Sequence, residues 1–220
     1  MLSKLARGDL VEYQSLGNWF GKINDPILNE FLKVWGQVAV EKQNPGDVEK
    51  KTIKDYQKIK RRFNEYKGYL GEIYMIQVLW NSQNRTLPGS FFHSEEDIKM
   101  PIRFIYVDQR HRERAGKKME VDVYASAGDE VWLAESKWWA KKQVGPDAVK
   151  NLLKQREIVK KREEEGGYSI KVYMWIFAYS GVTKSAEELM QKNGILWSDR
   201  KDLDGLLEFV KLRKLPQLED

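Results

Sequence analysis

The chain has 220 residues, with 38 Lys and Arg against 33 Asp and Glu, and it contains no cysteine. That length suffices for one generous domain, or for a domain with a small appendage. The missing cysteines exclude a disulfide scaffold, a thiolate metal site and a thiol nucleophile, while a net charge of +5 permits polyanion binding without demanding it. No apolar run reaches the ~18–20 residues of a membrane span, and the opening MLSKLARGDLVEY lacks the apolar block of a signal peptide. The expectation is a cytoplasmic protein with no membrane contact.

In chain order, Leu28, Phe31, Leu32 and Trp35 fall at helical spacing after Pro26, and Asn44-Pro45-Gly46-Asp47 then breaks the chain. Residues 1–47 read as an N-terminal helical appendage and 48–220 as the main domain. A long helix is predicted from Val48 to about Trp80, charged at first and apolar in its closing GYLGEIYMIQVLW. The period then changes. Ile102 to Val107, Met119 to Ala125 and Val131 to Lys137 are short, rich in β-branched and aromatic residues, and divided by turn chemistry, which predicts three strands in a meander. Pro146 and Gly166-Gly167 bracket a helix. Ile170 to Tyr179 is a nearly continuous apolar run, as in a strand covered on both faces. A helix opened by Thr183, a short strand at Ile195 to Trp197 and a helix from Asp202 to about Leu212 complete an α/β chain with a mixed central sheet flanked by helices.

The chemistry gathers on three of these elements. Glu135 and Lys137 stand two apart on a strand, so both point to the face of Val131 and Leu133. A structural ion pair at the strand end is one explanation. Asp122 is an isolated carboxylate between Val121 and Val123 in the preceding strand, and across a hairpin it can meet Glu135. Two carboxylates so placed repel unless a cation lies between them: either Lys137, or a divalent ion such as Mg²⁺, which suits hard oxygen ligands. Glu72 is the one formal charge between Gly68 and Trp80, on the apolar half of the long helix. It reads as a further ligand to the same ion or as part of a buried hydrogen-bonded network.

Helix Glu72, strand Asp122, then Glu135-Ser136-Lys137 resembles the PD-(D/E)XK nuclease superfamily in order and spacing, over about residues 48–180. The literal Pro-Asp pair is absent, since Glu120 and Val121 precede Asp122. The resemblance implies a restriction-endonuclease-like core (α-β-β-β-α-β) and phosphodiester hydrolysis with Mg²⁺ or Mn²⁺. It implies a metal set of Asp122, Glu135, Ser136 and Glu72, with Lys137 positioning or activating water. Gln155 on the following helix is similar to a glutamine near the active site in several branches of that superfamily; a plain polar residue on the helix flank is the alternative.

Basic clusters flank these residues, with Lys117-Lys118 and Lys141-Lys142 nearest, and Trp138 follows Lys137 directly. Salt-sensitive phosphate binding by the lysines and stacking of a base on Trp138 are expected if they share one face; burial of Trp138 in a core is the competing expectation. Arg110-His111-Arg112 with Arg114 form a further basic cluster, and His111-Arg112-Glu113-Arg114 reads as a mobile basic loop. The partner expected is nucleic acid, DNA before RNA, and the reaction endonucleolytic before exonucleolytic. A nuclease-like module that binds or assembles without cutting, a homodimer, and a domain of a larger ATPase or defence protein are the other expectations.

Overall fold

A computed structural model describes residues 11–14, 19–23, 25–112 and 120–218. The chain divides into two compact units, Met1–Arg62 and Phe63–Asp220.

In the first unit, strands β1 (Val11–Gln14) and β2 (Trp19–Ile23) form an antiparallel hairpin, with Val11 opposite Ile23 and Gln14 opposite Trp19. Helix α1 (Pro26–Trp35) follows and runs into a π-helical turn, Gly36–Val40. Asp25 caps α1, accepting from the Ile27 and Leu28 amides, while Pro26 opens it where no amide is needed. A purely helical 1–47 is therefore corrected. VEYQ and WFGKI carry the β-branched and aromatic residues that favour a strand, whereas the helical spacing begins only after Pro26. Helix α2 (Pro45–Asn81) is one continuous element of 37 residues, and the boundary between the units falls within it rather than at residue 47. Its residues 49–66 are exposed on every side, while from Lys67 onward it buries Met75, Val78 and Leu79.

The second unit is an α/β structure. After the two-residue strands β3 (Thr86–Leu87) and β4 (Ile98–Lys99), a mixed five-stranded sheet is built from β5 (Tyr106–Arg112), β6 (Glu120–Ser126), β7 (Glu130–Lys137), β8 (Lys171–Ala178) and β9 (Leu196–Ser198). The strands lie in chain order; β5, β6 and β7 are antiparallel neighbours, and β7, β8 and β9 run parallel. Parallel pairing needs a crossover. Helix α3 (Pro146–Glu165) supplies it between β7 and β8, and α4 (Lys184–Lys192), capped by Thr183, between β8 and β9. Helix α5 (Arg200–Phe209) closes the unit with an Asp199–Asp202 capping box.

Strand alternation divides the core. Trp132 and Ala134 of β7 with Trp175 and Phe177 of β8 pack against Met75, Val78 and Leu79 of α2 and Leu203, Leu206 and Leu207 of α5. Val131 and Leu133, with Met174, Ile176 and Ala178, pack against Val149, Leu152 and Val159 of α3 and Ala186 and Met190 of α4. Both faces of β8 are thus covered, the reason for its unbroken apolar run. Each large side chain buried this fully contributes roughly 1.5–3 kcal/mol, so these two layers fix where the charged end of β7 sits.

The first sheet strand departs from the expected Ile102 to Val107. Ile102 and Ile105 are exposed, at 81% and 67%, and Phe104 is the residue that enters the core. β5 instead runs through the polar Gln109-Arg110-His111, paired with Val123 and Val121 of β6. An edge strand half in solvent tolerates such a composition, so His111 and Arg112 belong to the sheet and not to a loop. Among the described residues no helix is long and apolar enough to cross a membrane.

Candidate active site

The site begins where α2 touches β7. At Gly71 a Cβ would stand 2.2 Å from Ser136 Oγ, and Ser136 Oγ in turn donates to the Gly68 carbonyl at 3.4 Å. Only glycine allows so close an approach. The next residue, Glu72, is 4% exposed. Its carboxylate is fully engaged: Arg110 donates Nε to Oε2 at 3.0 Å and Nη2 to Oε1 at 3.2 Å, and Gln109 Nε2 donates to Oε2 at 2.8 Å. A buried carboxylate is tolerable when a guanidinium grips it bidentately. Adjacent residues on a strand normally point to opposite faces, yet Gln109 and Arg110 reach one carboxylate. The left-handed backbone of Arg110, φ 52°, accompanies this, a conformation costing on the order of 1–3 kcal/mol in a residue with a side chain.

Asp122 and Glu135 meet through strand register. Val123 pairs with Ala134, and one step further Asp122 faces Glu135, where the ladder ends. Asp122 Oδ2 replaces the missing backbone acceptor, taking the Ser136 amide at 2.9 Å. The Lys137 ammonium bonds to Glu135 Oε1 and lies 4.0 Å from Asp122 Oδ2. Both partners of the ammonium are largely buried, with side chains 20% and 14% exposed. Burial first, then repulsion from Glu135, pushes the Asp122 carboxyl up to about 6, against the pull of Lys137 and the Ser136 amide; Glu72 adds to the rise. Arg110 is held above its ordinary range, chiefly by its hydrogen bond to Glu72, and the charge of Asp122 contributes. Glu72, Asp122, Glu135, Lys137 and Arg110 thus form one electrostatic neighbourhood.

The other expected residues fall variously. Ser136 is buried, its amide committed to Asp122. Gln155 donates Nε2 to the Glu120 carbonyl at 2.9 Å, tying α3 to the start of β6 two residues from Asp122; its Oε1 is buried without a hydrogen-bond partner among the described residues. Lys117 and Lys118 lie outside the described residues. Lys141 and Lys142 are exposed, and the Lys142 ammonium sits 5.1 Å above the Trp139 ring. Trp138 as a stacking platform is corrected: it is 6% exposed, stacked on Tyr179 and edge-on to Phe177, so neither ring face is open to a base. Gln109 and Arg110 were missed as partners of Glu72, because a contact across 38 residues leaves no trace in local spacing.

Among the described residues, no group of three or more Asp, Glu or His side chains is close enough to hold a metal ion. One oxygen of each facing carboxylate, Asp122 Oδ1 and Glu135 Oε2, carries no hydrogen bond among those residues. Two carboxylates with open oxygens suit Mg²⁺, which usually takes one or two protein carboxylates and fills its shell with water and phosphate oxygens.

No protein-family model and no curated protein sequence matches this chain. A crystal structure of a protein of unknown function, AF1548, is similar over 48% of this chain and 57% of that one, with 18% identity and a TM-score of 0.37. The similarity therefore spans little more than half of that protein's length.

Proposed function

We propose that the chain is a Mg²⁺-dependent nuclease of the PD-(D/E)XK type with a restriction-endonuclease-like core, hydrolysing phosphodiester bonds, of DNA by preference and endonucleolytically, in the cytoplasm. One observation carries the reading: Asp122 faces Glu135 across β6 and β7, with the Lys137 ammonium against both. The order of elements agrees, from α2 with Glu72 through β5, β6 and β7 to α3 and β8.

Asp122 and Glu135 would hold the cation through their open oxygens. Bound there, a divalent ion lowers the pKa of a coordinated water and offsets charge on the phosphate. Lys137, already at the carboxylate pair, is an ammonium that would stabilise a phosphate oxygen as charge develops. Glu72, neutralised by Arg110, shapes the wall of the site and fixes the guanidinium beside it. The raised carboxyl of Asp122 supports the assignment, since a carboxylate pair disfavoured in its ionised form gains most from a cation.

The engagement of Glu72 by Arg110, and the absence of a three-donor group among the described residues, favour a second reading as a nuclease-like module that binds without cutting. One experiment separates the two. Labelled single-stranded, duplex and branched DNA and RNA are incubated with Mg²⁺, Mn²⁺ or EDTA, using wild type, Asp122→Ala and Lys137→Ala. Metal-dependent cleavage lost in both variants is expected, and cleavage unchanged in either excludes the assignment. No cleavage, together with no heat of Mg²⁺ or Mn²⁺ binding in calorimetry, selects the second reading.

A further inference from the structure

Phe63, Tyr66 and Tyr69 succeed one another at three-residue steps on α2, rising along one side of the helix by roughly 4.5 Å per step. They are 38%, 59% and 39% exposed, all within the second unit. Tyr66 has no hydrogen-bond or ring partner among the described residues. Tyr69 lies one turn before Glu72, and Arg110 joins the two: its guanidinium carbon is 5.5 Å from the Tyr69 ring centroid while its nitrogens grip Glu72. Gln109 adds a bond to the Tyr69 carbonyl at 3.4 Å. An aromatic ridge therefore leads, through a cation, to the acidic centre.

Exposed rings that follow one another on a helix mark a candidate interaction surface, where a single one would not. Within the second unit these three side chains, of roughly 150–250 Å² each and exposed by these fractions, offer roughly 300 Å², and on the same helix Ile53, Tyr56 and Ile59 are also exposed, at 48%, 62% and 66%. A nucleobase needs only one ring face, and a guanidinium at the end of the ridge suits the phosphates between bases. Bases in a duplex are already stacked on each other, so the ridge discriminates for unpaired ones. We infer that Tyr66 and Tyr69, with Arg110 beside them, form a stacking track for single-stranded nucleic acid that delivers the strand to the acidic centre. The delivery rests on the proposed nuclease reading; the binding does not. The track also takes the role that buried Trp138 cannot fill.

The test is fluorescence anisotropy of the full chain in EDTA, with a labelled oligothymidylate and with a duplex of the same length. Tyr66→Ala and Tyr69→Ala should each weaken single-strand binding roughly five- to a hundredfold, with duplex binding within about twofold of wild type. Tyr66→Phe and Tyr69→Phe keep the ring and should bind as wild type does, a rescue that a role for the hydroxyl or for mere folding would not give. Circular dichroism verifies folding, and Tyr66, the more exposed, carries the test if Tyr69→Ala unfolds. Folded alanine variants that bind the single strand like wild type overturn the inference, as does a wild type that prefers the duplex. Because no metal is present, the outcome is separable from cleavage. Binding lost in the alanine variants while no preparation cuts nucleic acid supports the track and sinks the nuclease; unaltered binding beside normal Mg²⁺-dependent cleavage does the reverse.

Discussion

Replacing Gly71 by alanine tests whether α2 and β7 are in contact as closely as the geometry implies. The added methyl would lie 2.2 Å from Ser136 Oγ and 3.4 Å from both Phe177 Cδ1 and Trp138 Cε3. The latter two are ordinary contacts; the first is not, so the serine or the helix must move. Ser136 is 7% exposed among core residues, which leaves its hydroxyl little room. Overpacking of this kind costs about 1–3 kcal/mol, whereas alanine in a helix interior is favoured over glycine by about 1 kcal/mol. The clash should win by about 1 kcal/mol in wild type. In a Ser136→Ala background the clashing oxygen is gone, and the same substitution should become neutral or stabilise by up to about 1 kcal/mol. Urea unfolding followed by tryptophan fluorescence reads the four corners of the cycle, with an expected coupling of about 1–2 kcal/mol. Equal effects of Gly71→Ala in both backgrounds would refute the close approach, and with it the placement of Glu72 beside β7.

Three further outcomes follow from the site and its surroundings. Asp122 titrates near 6 in the fold against a usual 3.8, so its contribution to stability is present at low pH and is lost as pH rises through about 6. A rise of that size is worth about 3 kcal/mol, so Asp122→Asn, which can still accept from the Ser136 amide, should match wild type near pH 4 and exceed it by up to that amount at pH 7–8 without metal; a difference independent of pH would contradict this. Arg110→Ala strands the buried Glu72 carboxylate and should cost about 2 kcal/mol, less than a fully buried pair because Arg110 is 44% exposed. Adding Glu72→Gln should restore much of that loss, and an additive double mutant in urea unfolding would count against the pair. Trp138→Ala should lose about 3–5 kcal/mol of stability as a core truncation, while Trp139→Ala, at 39% exposed, changes it by less than about 1 kcal/mol.

Periodicity and punctuation are local properties, and whatever depended on them was legible in the sequence. The alternation in VWLAESK puts Glu135 and Lys137 on one face, and the isolated carboxylate at Asp122 stands out between two valines. Pro146 and Gly166 bracket α3, Thr183 caps α4, and the unbroken apolar run of β8 announces a strand covered on both sides. What required the tertiary structure were the partners, because hydrogen bonds between distant segments obey no spacing rule. The grip of Gln109 and Arg110 on Glu72, the polar edge strand where a basic loop was expected, and the burial of Trp138 beneath Tyr179 all follow from which segments pack together. A tryptophan reads the same in sequence whether it faces a base or a core, and a glutamate the same whether it awaits a metal or an arginine; only the neighbours that folding brings to it decide which.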